Sequence, residues 1–509
     1  LDSERGLRTA VESGMGGPVG SPVQSGAPSG IPGASALLFG VSRSLARQAY
    51  ERASREMASN TERAVQSLGE VRGGSGAAGE AHRESVPRFY RVPPGTDTRE
   101  YARSMFGNLW MSFLAALTPP FKEYDDTDTA KLLLQGMRLS IHLACVLGVD
   151  YARTSFMRAL VQFTCINSPA DISGKCVDAV CTLLDVAIAD QNALKTSWRL
   201  VFVVISQVER LRLLSRGVDA VPDLLQARIE GESEVNRNSS SSSPQKIHPD
   251  SAARLNSTHM DVAIDQVFAK SSQIHGDAIF DFLAGLSEVA REEINSSAHS
   301  PEPRMFSLQK LVDVCYYNMG RIRVQWSAMW AVLNETFSEF GCNDNRAVCF
   351  FAIDSLRQMA VRFFSIDELA HFKFQKDFLQ PFSYIIRHNS DVQVRDMVLD
   401  CVHYLVAKNS ATIRSGWASL LGILTDAAVN DDEEAFVSKG FRYASSICHH
   451  HLAQVRAQEA FGALVVCLTE YAKNDRFQKV RLQALHDIRG LVGVVGATEG
   501  PETTPDSWF

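Results

Sequence analysis

Between residues 305 and 364 the apolar side chains of this 509-residue chain fall at intervals of three and four, and that spacing constrains the fold more than any other feature. Met305, Leu308, Val312, Cys315 and Met319 mark one stripe; Ile322, Trp326, Trp330, Leu333, Phe337 and Phe340 mark the next. Each stripe is one face of a helix with 3.6 residues per turn, whereas a strand alternates its faces with period two and could not bury it. Asn318-Met319-Gly320 separates the stripes, and glycine's tolerance of left-handed backbone offers a mechanism for the break. The unit is a predicted helical hairpin.

The pattern continues on both sides. Upstream, a helix carries Met105, Leu109, Phe113, Ala116 and Leu117 and is expected to stop at Pro119-Pro120, because proline lacks an N–H and clashes with the preceding turn. Asp125-Asp126-Thr127-Asp128 then offers N-cap chemistry to a second helix with Leu132, Leu133, Met137, Ile141, Leu143 and Ala144. A third carries Phe156, Leu160 and Phe163, and a fourth Cys176, Val180, Leu183, Leu184 and Ala187; a fifth spans 194–214. Downstream, helices are expected over 348–364, 369–386, 392–406, 413–428, 435–452, 454–471 and 477–495. Ile322-Arg323-x-x-Trp326 returns as Ile413-Arg414-x-x-Trp417, with Asn318 and Asn409 eight residues before each Trp, and more loosely as Leu194-Lys195-x-x-Trp198. The main interval has room for about two helix pairs of roughly 40–47 residues each, so the fold expected is an all-α, armadillo/HEAT-like α-solenoid of helical hairpins.

Composition divides the chain further. Residues 1–35, rich in Gly, Pro and Ser, hold too few large apolar groups to offset ordering entropy and are expected to be disordered. Residues 36–68 read as a linking amphipathic helix and 69–100 as a linker. The first helical block is 101–225, followed by a Ser-rich linker over 226–258 that contains the run 239–243. A second block spans 259–430, a third begins over 431–495, and 496–509 is a tail. A start at Leu1 rather than Met is expected of a piece of a longer chain.

The charge balance, 51 basic against 58 acidic residues, is mildly acidic and argues against nucleic acid as the main partner. Ten cysteines scattered among apolar residues, without a Cys-x-x-Cys pair, read as reduced thiols of a cytosolic protein. No apolar run in the sequence approaches the roughly 18 residues of a membrane span, so a soluble protein is expected. Three groupings invite a chemical reading and fail it. Cys448-His449-His450-His451 are consecutive, so on a helix the three imidazoles diverge rather than share an ion. Asp125, Asp126 and Asp128 sit where a helix start wants acids. Gly14, Gly16 and Gly17 lack the strand-before, helix-after setting of a phosphate loop. No catalytic, cofactor or metal site is expected. Charged residues beside apolar faces, among them Arg321, Arg323, Asp354, Arg357, Arg395, Asp396 and Arg414, suit inter-repeat ion pairs or a partner-binding surface.

Several runs carry a resemblance. Residues 305–310, Tyr316-Tyr317-Asn318-Met319-Gly320-Arg321-Ile322-Arg323, Asp354-Ser355-Leu356-Arg357-Gln358 and Phe372-Lys373-Phe374-Gln375-Lys376-Asp377-Phe378-Leu379 come in order, followed by Arg395-Asp396-Met397 and Ile413-Arg414-Ser415-Gly416-Trp417. Together with residues 110–116, 125–127 and 136–138, they resemble the large Arf-type guanine-nucleotide exchange factors of the brefeldin-A-inhibited class, over about 36–495. The resemblance implies helical homology regions downstream of that class's catalytic exchange domain, whose glutamate-bearing motif is not in this sequence. It therefore implies a non-catalytic regulatory and membrane-recruitment role. The partners implied are Arf-family and other small GTPases, trans-Golgi and endosomal membranes met peripherally from the cytoplasm, and a second copy of the chain. A Golgi scaffold lacking an exchange domain and a karyopherin-like adaptor are the alternatives. The signature residues, structural or partner-binding, are Tyr316, Tyr317, Asn318, Arg321, Arg323, Trp326, Asp354, Arg357, Phe374, Gln375, Phe378, Arg395, Asp396, Arg414 and Trp417.

Overall fold

A computed structural model describes residues 98–216, 248–298, 300–366, 374–429 and 433–498, together with the isolated positions 52, 55 and 59. The expectations for 1–35, most of 36–68, 69–97, 226–247 and 499–509 lie outside the described residues. Contacts divide the chain into one unit of 1–88 with 230–241 and another of 89–229 with 242–509. The second unit holds the helical array.

Its helices run in order as α1 (Thr98–Glu123), α2 (Thr127–Leu147), α3 (Asp150–Phe163), α4 (Gly174–Ala189), α5 (Trp198–Ser215), α6 (Pro249–Leu255), α7 (Thr258–Ala269) and α8 (Ala278–Ser296). They continue as α9 (Phe306–Tyr317), α10 (Arg323–Gly341), α11 (Arg346–Phe364), α12 (Phe374–Phe378), α13 (Gln380–His388) and α14 (Val392–Asn409). Last come α15 (Gly416–Val429), α16 (Glu434–His450), α17 (Leu452–Ala457), α18 (Phe461–Ala472) and α19 (Gln478–Thr498). No strand occurs among the described residues. Two layers form. In one, α2, α4, α7, α9, α11, α14, α16 and α19 pack each on the next; in the other, α1, α3, α5, α8, α10, α13, α15 and α18 do the same. The all-α solenoid expected from periodicity is the fold. Its repeat shows in the long-range hydrogen bonds: Lys310 reaches Asp265, 45 residues back, Asn345 reaches Ala298 at 47, and Asn389 reaches Gly341 at 48.

Where details differ, tertiary contacts explain them. The helix of α1 does not stop at Pro119-Pro120 but continues to Glu123. Its last turn is held from outside: Phe121 stacks on Phe163 at 4.1 Å, and Lys175 Nζ donates to the carbonyls of Phe121 and Tyr124, each at 2.9 Å. The buried face of α1 is Phe106, Trp110 and Phe121; Met105, Leu109 and Phe113 are exposed, one position out of register with the expected stripe. On α2, Leu132 and Leu143 are exposed while Ala130, Leu134 and Leu147 join Met137, Ile141 and Ala144 in the core. By length and composition α2 could cross a bilayer, contrary to the sequence-based expectation; here its buried face packs against α1, α3 and α4.

The stretch expected as linker is helical at its end: in α6, Leu255 is buried, Ser251 Oγ donates to the Ile172 carbonyl at 2.8 Å, and Arg212 Nε donates to the Leu255 carbonyl at 2.9 Å. The helix expected over 369–386 is split where Pro381 opens α13, and that over 454–471 is split at Glu459, whose φ of 57° ends α17. Gly320 is not left-handed; among the described glycines only Gly148 and Gly276 are. The turn after α9 is made instead by the Asn318 side chain, which bonds back to the Val314 carbonyl. Ile322, expected in the core, caps α10 and is 57% exposed, because the buried stripe begins only at Trp326.

Candidate functional site

The signature residues separate into a buried seam and a polar strip. In the seam, Asn318 is buried at the end of α9 and donates from Nδ2 to Ser271 Oγ and the Val314 carbonyl, each at 2.8 Å. Its Oδ1 accepts from Arg321 Nε at 2.5 Å, and Arg321 Nη2 donates to the carbonyls of Ser271 at 2.9 Å and Ile274 at 2.6 Å. Burial lowers the Arg321 pKa from its ordinary value, yet a guanidinium stays charged, so the residue ties one repeat to the carbonyls that close the previous one. Trp326 meets Phe363 edge-on at 4.6 Å, and Trp330 stacks on Phe378 at 4.3 Å while donating from Nε1 to the Asp377 carbonyl at 3.0 Å. Phe363 also packs against Phe374 and Phe378.

Gln375 then links this aromatic cluster to the echo motif. Its Oε1 accepts from the backbone N–H of Arg414 at 2.7 Å and of Gly416 at 3.2 Å, and its Nε2 donates to the Thr412 carbonyl at 3.0 Å. Trp417 is fully buried one residue on. The seam thus joins Asn318, Arg321, Trp326, Phe374, Gln375, Phe378, Arg414 and Trp417 as packing. The looser third copy has its own equivalent: Asp190 stands eight residues before the buried Trp198 and holds His142 Nδ1 at 2.7 Å. The side chain of Arg323 lies outside the described residues, and Tyr317 is exposed.

The strip runs across the layer of α11, α14 and α16. Asp354 Oδ1 accepts from Arg357 Nη2 at 2.6 Å, its Oδ2 accepts from Gln358 at 2.6 Å, and the Arg357 guanidinium lies 4.8 Å over the Tyr404 ring of α14. Tyr316, half-buried on α9, has its hydroxyl pKa raised by burial. Arg395 lies 5.2 Å over the Phe436 ring of α16. Lys439 Nζ bridges Asp396 and Asp400, each at 2.7 Å; Tyr443 donates to Asp400 at 2.8 Å and stacks on His403 at 4.3 Å. Burial works against the Lys439 charge, but the two carboxylates outweigh it and hold its pKa above the ordinary lysine value. Asp400, His403, Lys439 and Tyr443 were not singled out from the sequence. The signal was present as i, i+4 pairs, Asp396 with Asp400 and Lys439 with Tyr443, on neighbouring predicted helices.

The three rejected groupings resolve in part. Asp126 caps α2, its carboxylate accepting from Thr129 N–H at 2.8 Å, and that hydrogen bond lowers its pKa. His449 and His450 turn back on their own helix, to the carbonyls of Ser445 at 2.7 Å and Ser446 at 3.0 Å. Among the described residues no cluster of His, Cys, Asp and Glu could hold a metal ion. Residues 14–17 lie outside the described residues. The ten cysteines are free thiols, and burial pushes those of Cys401 and Cys467 up to about 12.

Residues 362–446 match the family model described as Mon2/Sec7/BIG1-like, HDS, a span that holds Phe374, Gln375, Phe378, Arg395, Asp396, Arg414 and Trp417. Over 482 residues the chain is 40% identical to the ADP-ribosylation factor guanine nucleotide-exchange factor SEC7 of Saccharomyces cerevisiae, covering 90% of this chain and 23% of that protein. The chain is homologous to a region of the Sec7/BIG1-like proteins. It is also 33% identical to the exchange factor sec71 of Schizosaccharomyces pombe, covering 91% of this chain and 26% of that protein. Brefeldin A-inhibited guanine nucleotide-exchange protein 1 of Homo sapiens is 35% identical, with 77% of this chain and 22% of that protein covered. The chain thus spans about a quarter of the length of the curated relatives it matches. A solved engineered protein matched over 78% of this chain and 99% of its own has 11% identity and a TM-score of 0.23, a likeness that carries no argument.

Proposed function

We propose that this chain is the non-catalytic regulatory and membrane-recruitment region of a larger exchange factor for ADP-ribosylation-factor GTPases, acting peripherally on Golgi and endosomal membranes in vesicle trafficking. The observation that carries this reading is the match along 90% of the chain to a protein named for exchange on ADP-ribosylation factors. The solenoid supports it physically, because a stack of repeats presents extended surface built on a rigid core rather than one enclosed pocket. The strip of Asp354, Arg357, Arg395, Asp396 and Lys439 is the surface we assign to partner contact, since its charges lie beside a packed seam that holds them in place. The exchange chemistry itself belongs, in this reading, to another part of the longer protein.

Residues 1–509 incubated with a GTP-loaded or GDP-loaded ADP-ribosylation factor, free and on liposomes, are expected to retain the GTP form preferentially. Arg357→Glu with Lys439→Glu is expected to weaken that retention while leaving the helical circular dichroism unchanged. Equal or absent binding of both forms would remove the GTPase-sensing role. Nucleotide exchange catalysed by residues 1–509 alone would remove the non-catalytic one. Flotation with liposomes and light scattering test peripheral membrane association and self-association in the same preparation.

A further inference from the structure

Along the strip each carboxylate meets a donor: Asp354 has Arg357 and Gln358, and Asp396 and Asp400 share Lys439. The next step, between α16 and α19, breaks that pattern. Asp487 on α19 is only 6% exposed; the His449 imidazole, with Nε2 3.7 Å from Asp487 Oδ1, stands beyond hydrogen-bond reach, and Asp487 Oδ2 is buried without any partner among the described residues. A buried carboxylate oxygen with no donor bears its desolvation cost unrelieved. Asp487 lines a groove of about 660 Å³ where α16 and α19 part.

The rest of the groove has a definite chemistry. Glu434, Phe441 and Arg442 come from α16, and Lys479, Leu482 and His486 from α19. Leu482 is 58% exposed, an apolar side chain with no cover. Arg442 lies over the Tyr443 ring, and neither it nor Lys479 has a carboxylate partner among the described residues. Lys479 and Asp487 are two helical turns apart on α19, about 12 Å, which an extended peptide crosses in about four residues.

We propose that this groove binds a peptide segment of a partner protein that sets one basic side chain on Asp487, acidic residues against Lys479 and Arg442, and an apolar side chain on Phe441 and Leu482. The basic anchor supplies the donor that Asp487 lacks, and the flanking acids answer the two unpaired cations. An anionic lipid surface would satisfy only the cations. Its phosphates offer no donor to a buried carboxylate, whereas the Lys or Arg of a peptide does, and the occupant is therefore a peptide.

The test is selection from a random peptide display library on immobilised residues 1–509, followed by titration of the selected peptides. Enriched peptides are expected to carry one Arg or Lys flanked by Asp or Glu. Binding is expected to weaken about tenfold or more with Asp487→Asn, and similarly with Leu482→Glu, whose exposed position spares the fold. Arg442→Glu with Lys479→Glu is expected to reverse the preference for flanking acids. Failure to enrich any peptide, enrichment without a basic anchor, or undiminished binding to Leu482→Glu would each overturn the proposal. So would binding of residues 1–509 to anionic vesicles that is lost with Arg442→Glu and unaffected by a selected peptide.

Discussion

Glu293 and Arg304 form an ion pair at 3.1 Å whose carboxylate is fully enclosed and whose guanidinium is 6% exposed. Glu293 lies in the last turn of α8 and Arg304 in the loop that leads to α9. Arg304 Nη2 also donates to the carbonyl and hydroxyl of Ser206 on α5, both at 2.9 Å, and Glu293 Oε2 accepts from the Ser307 N–H in the first turn of α9 at 2.6 Å. One pair therefore fixes three helices from both layers.

Removing one partner strands the other charge in the interior. Glu293→Gln is expected to cost about 3–5 kcal/mol, and the double variant Glu293→Gln with Arg304→Met less, because no uncompensated charge remains. Thermal and denaturant unfolding of the three proteins checks this; a double variant no more stable than Glu293→Gln would show that the loss is not one of charge pairing.

Trp326 is fully buried against Phe363, and its Nε1 has no partner among the described residues. Trp326→Ala is expected to cost about 3–5 kcal/mol from lost burial and the cavity left behind. Trp326→Phe, which keeps an aromatic edge and sacrifices no hydrogen bond, is expected to cost clearly less. Melting curves of both variants decide; an unchanged melt for Trp326→Ala would contradict the burial.

Gln375 satisfies three backbone groups of the turn before α15. Gln375→Ala leaves the N–H groups of Arg414 and Gly416 and the Thr412 carbonyl without that partner, an expected loss of about 1–3 kcal/mol. Hydrogen exchange measured by mass spectrometry is expected to quicken first over 412–417. Loss of protection spread evenly over the array would argue that Gln375 acts elsewhere.

Lys439 gives a pH dependence with a definite sign. Its pKa is raised in the fold above the ordinary 10.5, so its pairing with Asp396 and Asp400 contributes fully below 10.5 and is lost as pH rises through the folded value. Lys439→Met is expected to be less stable than the parent near neutrality, with the difference closing in strong alkali. A difference that widens with alkaline pH would reverse the assignment.

Local chemistry in the chain was sufficient for the element types, for Asp126 as a cap, and for the repeat that Trp326 and Trp417 share, because each depends on spacing along one helix. Spacing could not select the buried face of α1. Two apolar stripes lie side by side there, and only the approach of α2 and α3 buries Phe106 and Trp110 while leaving Met105 and Leu109 in solvent. Nor could it foresee that α1 would run through Pro119-Pro120, since Lys175 and Phe163 hold its last turn from a distance in sequence. The partners of Gln375, Glu293 and Lys439 lie between 11 and 87 residues away. Periodicity is a property of one helix and is written locally. Pairing of buried charges and backbone groups is a property of the stacked layers, and it exists only once they have packed.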